Sequence, residues 1–259
     1  MALRAAREAA RRIVRAYDRP DLVKVSIKGP NDFVTNVDLD AERIIVDSLR
    51  QHYPDHRVTG EESTRNFEGS NNDYEWVIDP LDGTLNFVRQ IPHFCVSIAC
   101  LYKGRIEHAV TVDPIRNEEF VASRGQGCQL NGRRVRVSNA TKLAGAVIAA
   151  GGPGMDKLAS PQSAIYEHLF AEGCVLRQSG SACLDLAYLA AGKLDGLWLR
   201  GLHAWDMAAG ALMVTEAGGL VGDFDGGSDF LDTGNIVAAT PRCFRSLLPL
   251  VNKYSTSAQ

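Results

Sequence analysis

The chain has 259 residues, 45% of them hydrophobic and 23% charged, with a net charge of −3. That length supports one large domain or two closely packed ones, and so even a charge balance excludes a global basic field for holding nucleic acid. No stretch reaches the length of a membrane span and no charged-then-apolar leader opens the chain, so no membrane partner is expected.

The six cysteines are scattered and none forms a Cys-x-x-Cys pair. They predict reduced, buried thiols in a cytoplasmic protein. The histidines show no zinc-ligand spacing.

Leu3, Ala6, Ala10, Ile13, Val14 and Tyr17 recur at helical spacing and predict a helix over 2–17. Its other side carries Arg4, Arg7, Arg11, Arg12 and Arg15. A solvated face accounts for such a run, and a binding surface is the sharper alternative. A transit peptide is a third reading, opposed by Glu8 and by the core-facing stripe. A short strand over 24–27 and a loop over 28–38 lead to a helix from about 39 to 53, for which Asp38 can serve as N-cap. A strand end at 57–59 precedes Gly60-Glu61-Glu62-Ser63. These adjacent carboxylates either share a cation or make an exposed acidic turn. Residues 64–73 are polar and rich in Asn, Ser and Gly, and predict a loop.

The next stretch, Trp76 to Phe87, organises the rest. Trp76-Val77-Ile78 is a buried-strand run. It should end at Asp79, because Pro80 lacks an N–H and has a fixed φ. Asp79 and Asp82 then face each other across a turn, able to aim at one point together with a carbonyl, by preference that of Leu81. Gly83-Thr84 reads as a helix opening, whose free N–H groups make an anion site. Hard oxygen ligands beside an anion cradle predict a magnesium site that handles a phosphate. Taken alone, Asp-Pro and Asp-Gly are also ordinary turn dipeptides.

Short strands over 94–102, 106–113, 118–122 and 127–137 predict an antiparallel meander. Beyond a seam at 138–143 the texture becomes α/β. Strands are expected over 147–150, 174–177, 195–199, 220–222 and 235–239. Helices are expected over 162–170, from Ser179-Gly180-Ser181-Ala182 to 191, from Trp205-Asp206 to 217 with a Gly218-Gly219 cap, and over 241–252. The division is therefore an α+β half at 1–140 and an α/β half at 141–259. Other phosphate or nucleophile devices fail: Gly152 and Gly154 are followed by Lys157 where a third glycine belongs, and neither a Walker Gly-Lys-Ser/Thr nor a Gly-x-Ser-x-Gly elbow occurs. What remains is a set of acidic residues at element ends: Asp38, Glu61, Asp79, Asp82 and Asp206. Converging in one cleft, they would require cations.

Asp79-Pro80-Leu81-Asp82-Gly83-Thr84, with Gly60-Glu61-Glu62 and Trp205-Asp206…Glu216-Ala217-Gly218-Gly219, resembles the inositol monophosphatase family over nearly the whole chain. Gly83-Thr84-Leu85-Asn86-Phe87 and Gly180-Ser181-Ala182 resemble its bacterial SuhB-type branch. The resemblance implies a layered α-β-α-β-α sandwich with an antiparallel N-terminal and a mixed C-terminal sheet. It implies a lithium-sensitive, usually dimeric phosphatase with two or three Mg2+ ions, acting on inositol monophosphate or a related small phosphate ester. Glu61, Asp79 and the Leu81 carbonyl match one ion's ligands; Asp79, Asp82 and Asp206 match the second's, and Glu61 also reaches a third. Asp38 and Thr84 match the pair that orients and deprotonates the attacking water. Gly83 and Thr84 match the phosphate cradle, Lys28 a site-directed lysine, and Gly180 and Ala182 the alcohol contacts. The branch further implies a role with transcription antitermination factors in ribosomal-RNA transcription complexes, where the first-helix arginines could serve. One departure stands out: the family's hydroxyl-binding Glu is Leu199 here, followed by Arg200. Either another phosphate monoester is preferred, or Arg200 or a partner subunit replaces the contact.

Overall fold

The structure, a computed structural model, describes residues 1–29, 32–62, 67–152 and 161–256. The chain begins with α1 (Ala2–Tyr17), β1 (Val25–Gly29), β2 (Asp32–Thr35) and α2 (Asn36–His52). β3 (His56–Gly60) and β4 (Asn71–Asp82) follow, then the short α3 (Thr84–Val88). A run of strands comes next: β5 (Cys95–Tyr102), β6 (Arg105–Asp113), β7 (Glu118–Ser123), β8 (Gly127–Leu130) and β9 (Arg133–Val135). The second half contains β10 (Val147–Gly151), α4 (Pro161–Ala171), β11 (Val175–Arg177), α5 (Ala182–Ala190), β12 (Gly196–Leu199) and α6 (Ala204–Glu216). It closes with β13 (Leu220–Gly222), α7 (Phe230–Thr233), β14 (Ile236–Ala239) and α8 (Pro241–Thr256).

Among the described residues the strands form a seven-stranded sheet in sequence order β3 to β9, a five-stranded sheet in order β11-β10-β12-β14-β13, and the β1–β2 hairpin. The large sheet is antiparallel from β4 onward, and only β3 joins in parallel. The smaller sheet is mixed, with β10 parallel to β11 and β12 and β14 antiparallel to β12 and β13.

Side-chain alternation along the strands builds the layers. Trp76, Ile78, Val96, Ile98 and Cys100 point one way, into a core shared with Ala5, Ala9 and Ile13 of α1 and Ile45 and Leu49 of α2. Val77, Cys95, Ala99 and Leu101 point the other way, onto α5 and α6 and onto Leu197 and Ile236 of the smaller sheet. Ile148, Trp198 and Val237 face outward again, covered by α4 and α8. Helices, sheet, helices, sheet, helices is therefore the stacking order, as expected, with the two sheets buried on both faces.

Four local expectations are corrected. The loop expected over 28–38 contains strand β2, because Phe33 and Val34 pair with β1. α2 starts earlier than expected: Thr35 is its N-cap and Asp38 its third helical residue. The strand expected to stop at Asp79 continues to Asp82, with its pairing to β5 interrupted between those residues. Pro80 causes a break in the ladder rather than its end. Residues 71–73, expected in a loop, belong to β4; of the remainder, 64–66 lie outside the described residues. Of the helix-one arginines, Arg7 makes a two-pronged pair with Glu119 at 2.6 and 2.7 Å, and Arg12 bonds Asp40.

The packing of α5 on α6 depends on Gly210. A methyl group there would lie 2.3 Å from Leu186 Cβ and 2.7 Å from its Cδ1. Gly210→Ala is expected to force the two helices apart and cost about 1–3 kcal/mol, measured as a lower urea midpoint with an unchanged slope. An unchanged midpoint would contradict this contact.

Candidate active site

β4 delivers the first acidic residues. Asp79 is 1% exposed, and its Oδ1 accepts the Leu81 N–H at 3.0 Å. The ladder break therefore closes on the Asp79 side chain instead of on β5, and Asp79 and Asp82 are brought to one side of the strand's end. Gly83 follows at φ +95°, in the left-handed region. A Cβ there would lie 3.0 Å from the His93 carbonyl oxygen, so only glycine turns the chain into α3 at this point.

Two further carboxylates are placed by one device. Asp38 and Asp206 are each the third residue of a helix. Each reaches back to the N–H of the residue before its helix: Asp38 Oδ2 to Thr35 at 3.0 Å, Asp206 Oδ2 to His203 at 2.7 Å. This is the reciprocal half of a capping box, favoured by the helix dipole. Thr35-x-x-Asp38 carries that signature in the sequence. Glu61 lies where β3 ends beside β4, its N–H donating to Ile78 O at 3.1 Å. Glu42 backs this turn by accepting from the Glu62 N–H at 2.9 Å, and a Cβ at Gly60 would lie 2.4 Å from the Glu42 carboxylate.

Asp82 is held from the opposite half of the chain. Its Oδ2 accepts from Ser181 Oγ at 2.6 Å and from the Cys183 N–H at 2.7 Å. Asn86 fastens the same loop, its Nδ2 donating to Ser179 O and His93 O at 2.8 Å each. Sequence reasoning missed Ser181, Cys183 and Asn86, since their role lies in contacts with residues far along the chain.

Carboxylate oxygens of Asp79, Asp82 and Asp206 lie within 4.8 Å of one another. They open on a cavity of about 270 Å3 that is also lined by Phe33, Glu61, Leu81, Gly83, Thr84, Leu85 and Gly180. Thr84 Oγ1 lies 2.8 Å from Asp38 Oδ1 and 3.0 Å from the Leu81 carbonyl oxygen. Ala182 and Arg200 do not line this cavity. The Arg200 N–H donates to Gly151 O, and Leu199 packs in the core between the sheets. The Lys28 side chain lies outside the described residues.

The electrostatics follow from burial. Desolvation, then Glu61, Asp82 and Asp206, push the Asp79 carboxyl well above its usual range. Desolvation raises Asp82 as well. Asp206 is pushed up to about 7 by desolvation and by Asp82. Desolvation lifts Asp38 to about 6 against the hydrogen bonds from Thr35 and Thr84. Among the described residues no Lys or Arg ion-pairs with Asp79, Asp82 or Asp206; the imidazole of His203 is 3.8 Å from Asp206. A carboxylate set, one member buried and two half-buried, without a cationic side chain and made of oxygen donors alone, suits a hard divalent cation such as magnesium. Each of Asp79, Asp82 and Asp206 spends one oxygen on the protein and keeps the other for such an ion.

The family model described as the inositol monophosphatase family matches residues 1–256. Nus factor SuhB of Escherichia coli K12 is 53% identical over 249 residues, covering 96% of this chain and 93% of that protein. Nus factor SuhB of Pseudomonas aeruginosa PAO1 is 51% identical over 259 residues, covering 98% and 95%. Among solved structures, the extragenic suppressor protein suhB from Bartonella henselae superimposes with a TM-score of 0.93 at 41% identity over 97% of this chain and 96% of that one. The inositol monophosphatase from Anabaena gives a TM-score of 0.84 at 32% identity, over 97% and 94%.

Raised carboxyl pKa values carry a stability signature. Asp38 and Asp206 rise from 3.8 to about 6 and about 7. The folded state therefore binds their protons more tightly than the unfolded state does. Their favourable contribution is complete below about pH 4 and is lost as pH climbs through about 7. The melting-temperature gain from added magnesium is expected to be larger at pH 8 than at pH 5, because the ion relieves repulsion that protons relieve at low pH. Equal gains at the two pH values would count against a shared acidic metal pocket. Asp79→Asn keeps an acceptor for the Leu81 N–H and removes one charge. It is expected to raise the metal-free melting temperature by a few degrees, where roughly 2–4 °C corresponds to 1 kcal/mol.

Proposed function

The chain belongs to the inositol monophosphatase family, and from that premise we propose that it is a magnesium-dependent phosphate monoester hydrolase. The observation that carries the reading is one cavity holding both the Asp79, Asp82 and Asp206 carboxylates and the Thr84 hydroxyl hydrogen-bonded to Asp38. In this reading Glu61, Asp79 and the Leu81 carbonyl hold one ion, Asp79, Asp82 and Asp206 hold another, and Glu61 reaches a third. Bound magnesium supplies a lowered pKa for water and a counter-charge to the phosphoryl and leaving oxygens.

The chain's own residues do the rest. Thr84 donates to Asp38 and so turns a lone pair toward the water that attacks phosphorus in line. The water's proton passes to the Thr84–Asp38 pair. A carboxyl at about 6 is suited to accept it near neutral pH. Gly83 and Thr84 offer backbone N–H groups to the phosphate, and Gly180, which also lines the cavity, meets the alcohol part. Ala182 and Lys28 are proposed substrate contacts from the family pattern only, and Arg200 is proposed as a replacement for the family glutamate that is Leu199 here. The substrate is inositol monophosphate or a related small phosphate ester, and Leu199 tips the choice toward the latter. A buried leucine accepts no hydroxyl hydrogen bond, and losing such a partner is costly for a polyol. The proposal includes a cytoplasmic, lithium-sensitive homodimer.

A second reading is favoured by the name of the relatives at about half identity, Nus factor SuhB. The protein would then also act with transcription antitermination factors, with or without catalysis. Pull-down with elongation factors tests this, and rescue of a deletion strain by Asp82→Asn separates it from hydrolysis.

For catalysis, Thr84→Ala is expected to lower kcat by about 10²–10⁴-fold, and Asp82→Asn to lower it further at any magnesium concentration. Near-full activity in Asp82→Asn would refute the hydrolase reading. Comparing kcat/KM for inositol 1-phosphate, glycerol 2-phosphate and adenylates tests the Leu199 argument; strong selectivity for inositol 1-phosphate would refute it.

A further inference from the structure

We propose that Asp82, Cys95 and Cys183 form a second ligand set, for a soft divalent cation of the zinc or cadmium class. Among the described residues two groups of ionisable ligand atoms converge within 4.8 Å, and Asp82 belongs to both. One is the oxygen set with Asp79 and Asp206. The other looks inward, to two thiols.

The placement follows from the fold. Cys95 opens β5 and stands opposite Asp82 in the β4–β5 register. Cys183 lies in the first turn of α5, brought across by the loop that bonds Asp82. Cys95 Sγ is 3.9 Å from Asp82 Oδ2 and 3.8 Å from Ser181 Oγ. Cys183 Sγ is 3.3 Å from the Asp206 carbonyl oxygen and 3.5 Å from that of Trp205. Two sulfurs and a carboxylate are therefore gathered beside further oxygen donors. Among the described residues Cys100, Cys128, Cys174 and Cys243 belong to no such group.

Ligand softness separates the two sets. Thiolates select zinc and heavier thiophilic ions, while magnesium prefers oxygen alone. Both thiols release their protons to solvent as the cation enters. Because Asp82 is common to both sets, a soft ion held by the cysteines draws this carboxylate away from the oxygen set, and the two kinds of cation antagonise each other. The argument rests on the shared carboxylate and is independent of the hydrolase reading.

The test is a cadmium titration of the full reduced chain, followed by thiolate-to-cadmium charge-transfer absorption. One cadmium per chain is expected, and X-ray absorption at the metal edge should find two sulfur neighbours. Excess magnesium should shift the titration to higher cadmium. The Cys95→Ala, Cys183→Ala double variant should lose the absorption while keeping the far-ultraviolet circular dichroism of the parent. Absence of sulfur neighbours in the parent, an absorption retained in the double variant, or indifference to magnesium would each overturn the proposal. Should the double variant fail to fold, the sulfur count in the parent decides the matter unaided.

Discussion

The mutual repulsion of three crowded carboxylates, Asp79 buried and Asp82 and Asp206 half-buried, is the constraint around which this fold is arranged. Asp79, Asp82 and Asp206 crowd within 4.8 Å in a site from which water is largely withdrawn. Such a cluster lowers stability on its own, and a structure keeps it only where something else gains from it. The five stacked layers supply the offset: two sheets buried on both faces and helices packed closely enough that Gly210 admits no methyl group.

Precision at the cluster comes from sharing oxygens. Asp79 spends one oxygen on Leu81, Asp82 one on Ser181 and Cys183, and Asp206 one on His203. Backbone or loop thus fixes each carboxylate before any ligand arrives, which lowers the ordering cost of binding. The broken ladder at Pro80, the left-handed Gly83 and the two capping carboxylates serve the same end. Each is a place where regular structure stops and its end groups are redirected toward the cavity or, for Asp38, toward Thr84 on its wall.

The sequence announced most of this through element ends. The helix over 2–17 and the strands flanking the seam were legible because their apolar spacing is strict. The acidic residues were legible because each sits beside a glycine, a proline or a helix start. Less legible was anything settled by partners distant in sequence. Strand β2 is too short for periodicity, and its identity comes from pairing with β1. Asp38 looked like an N-cap, yet Thr35 holds that place, because its hydroxyl bonds the N–H of Val37 while Asp38 reaches back. The clamp of Ser181, Cys183 and Asn86 on the site is a tertiary fact, and Leu199 showed its burial only once β12 was placed at the centre of the smaller sheet.

Asn86 bonding Ser179 and Ser181 bonding Asp82 join segments nearly a hundred positions apart. Contacts this far apart in sequence require long loop closures. A ribosome releases the acidic strand well before the segment that clasps it, so the nascent N-terminal half carries Asp79 and Asp82 without their final companion. Completion of the acidic hollow is thereby tied to arrival of the last third of the polymer, because a product truncated before Ser179 lacks both the clasp and Asp206.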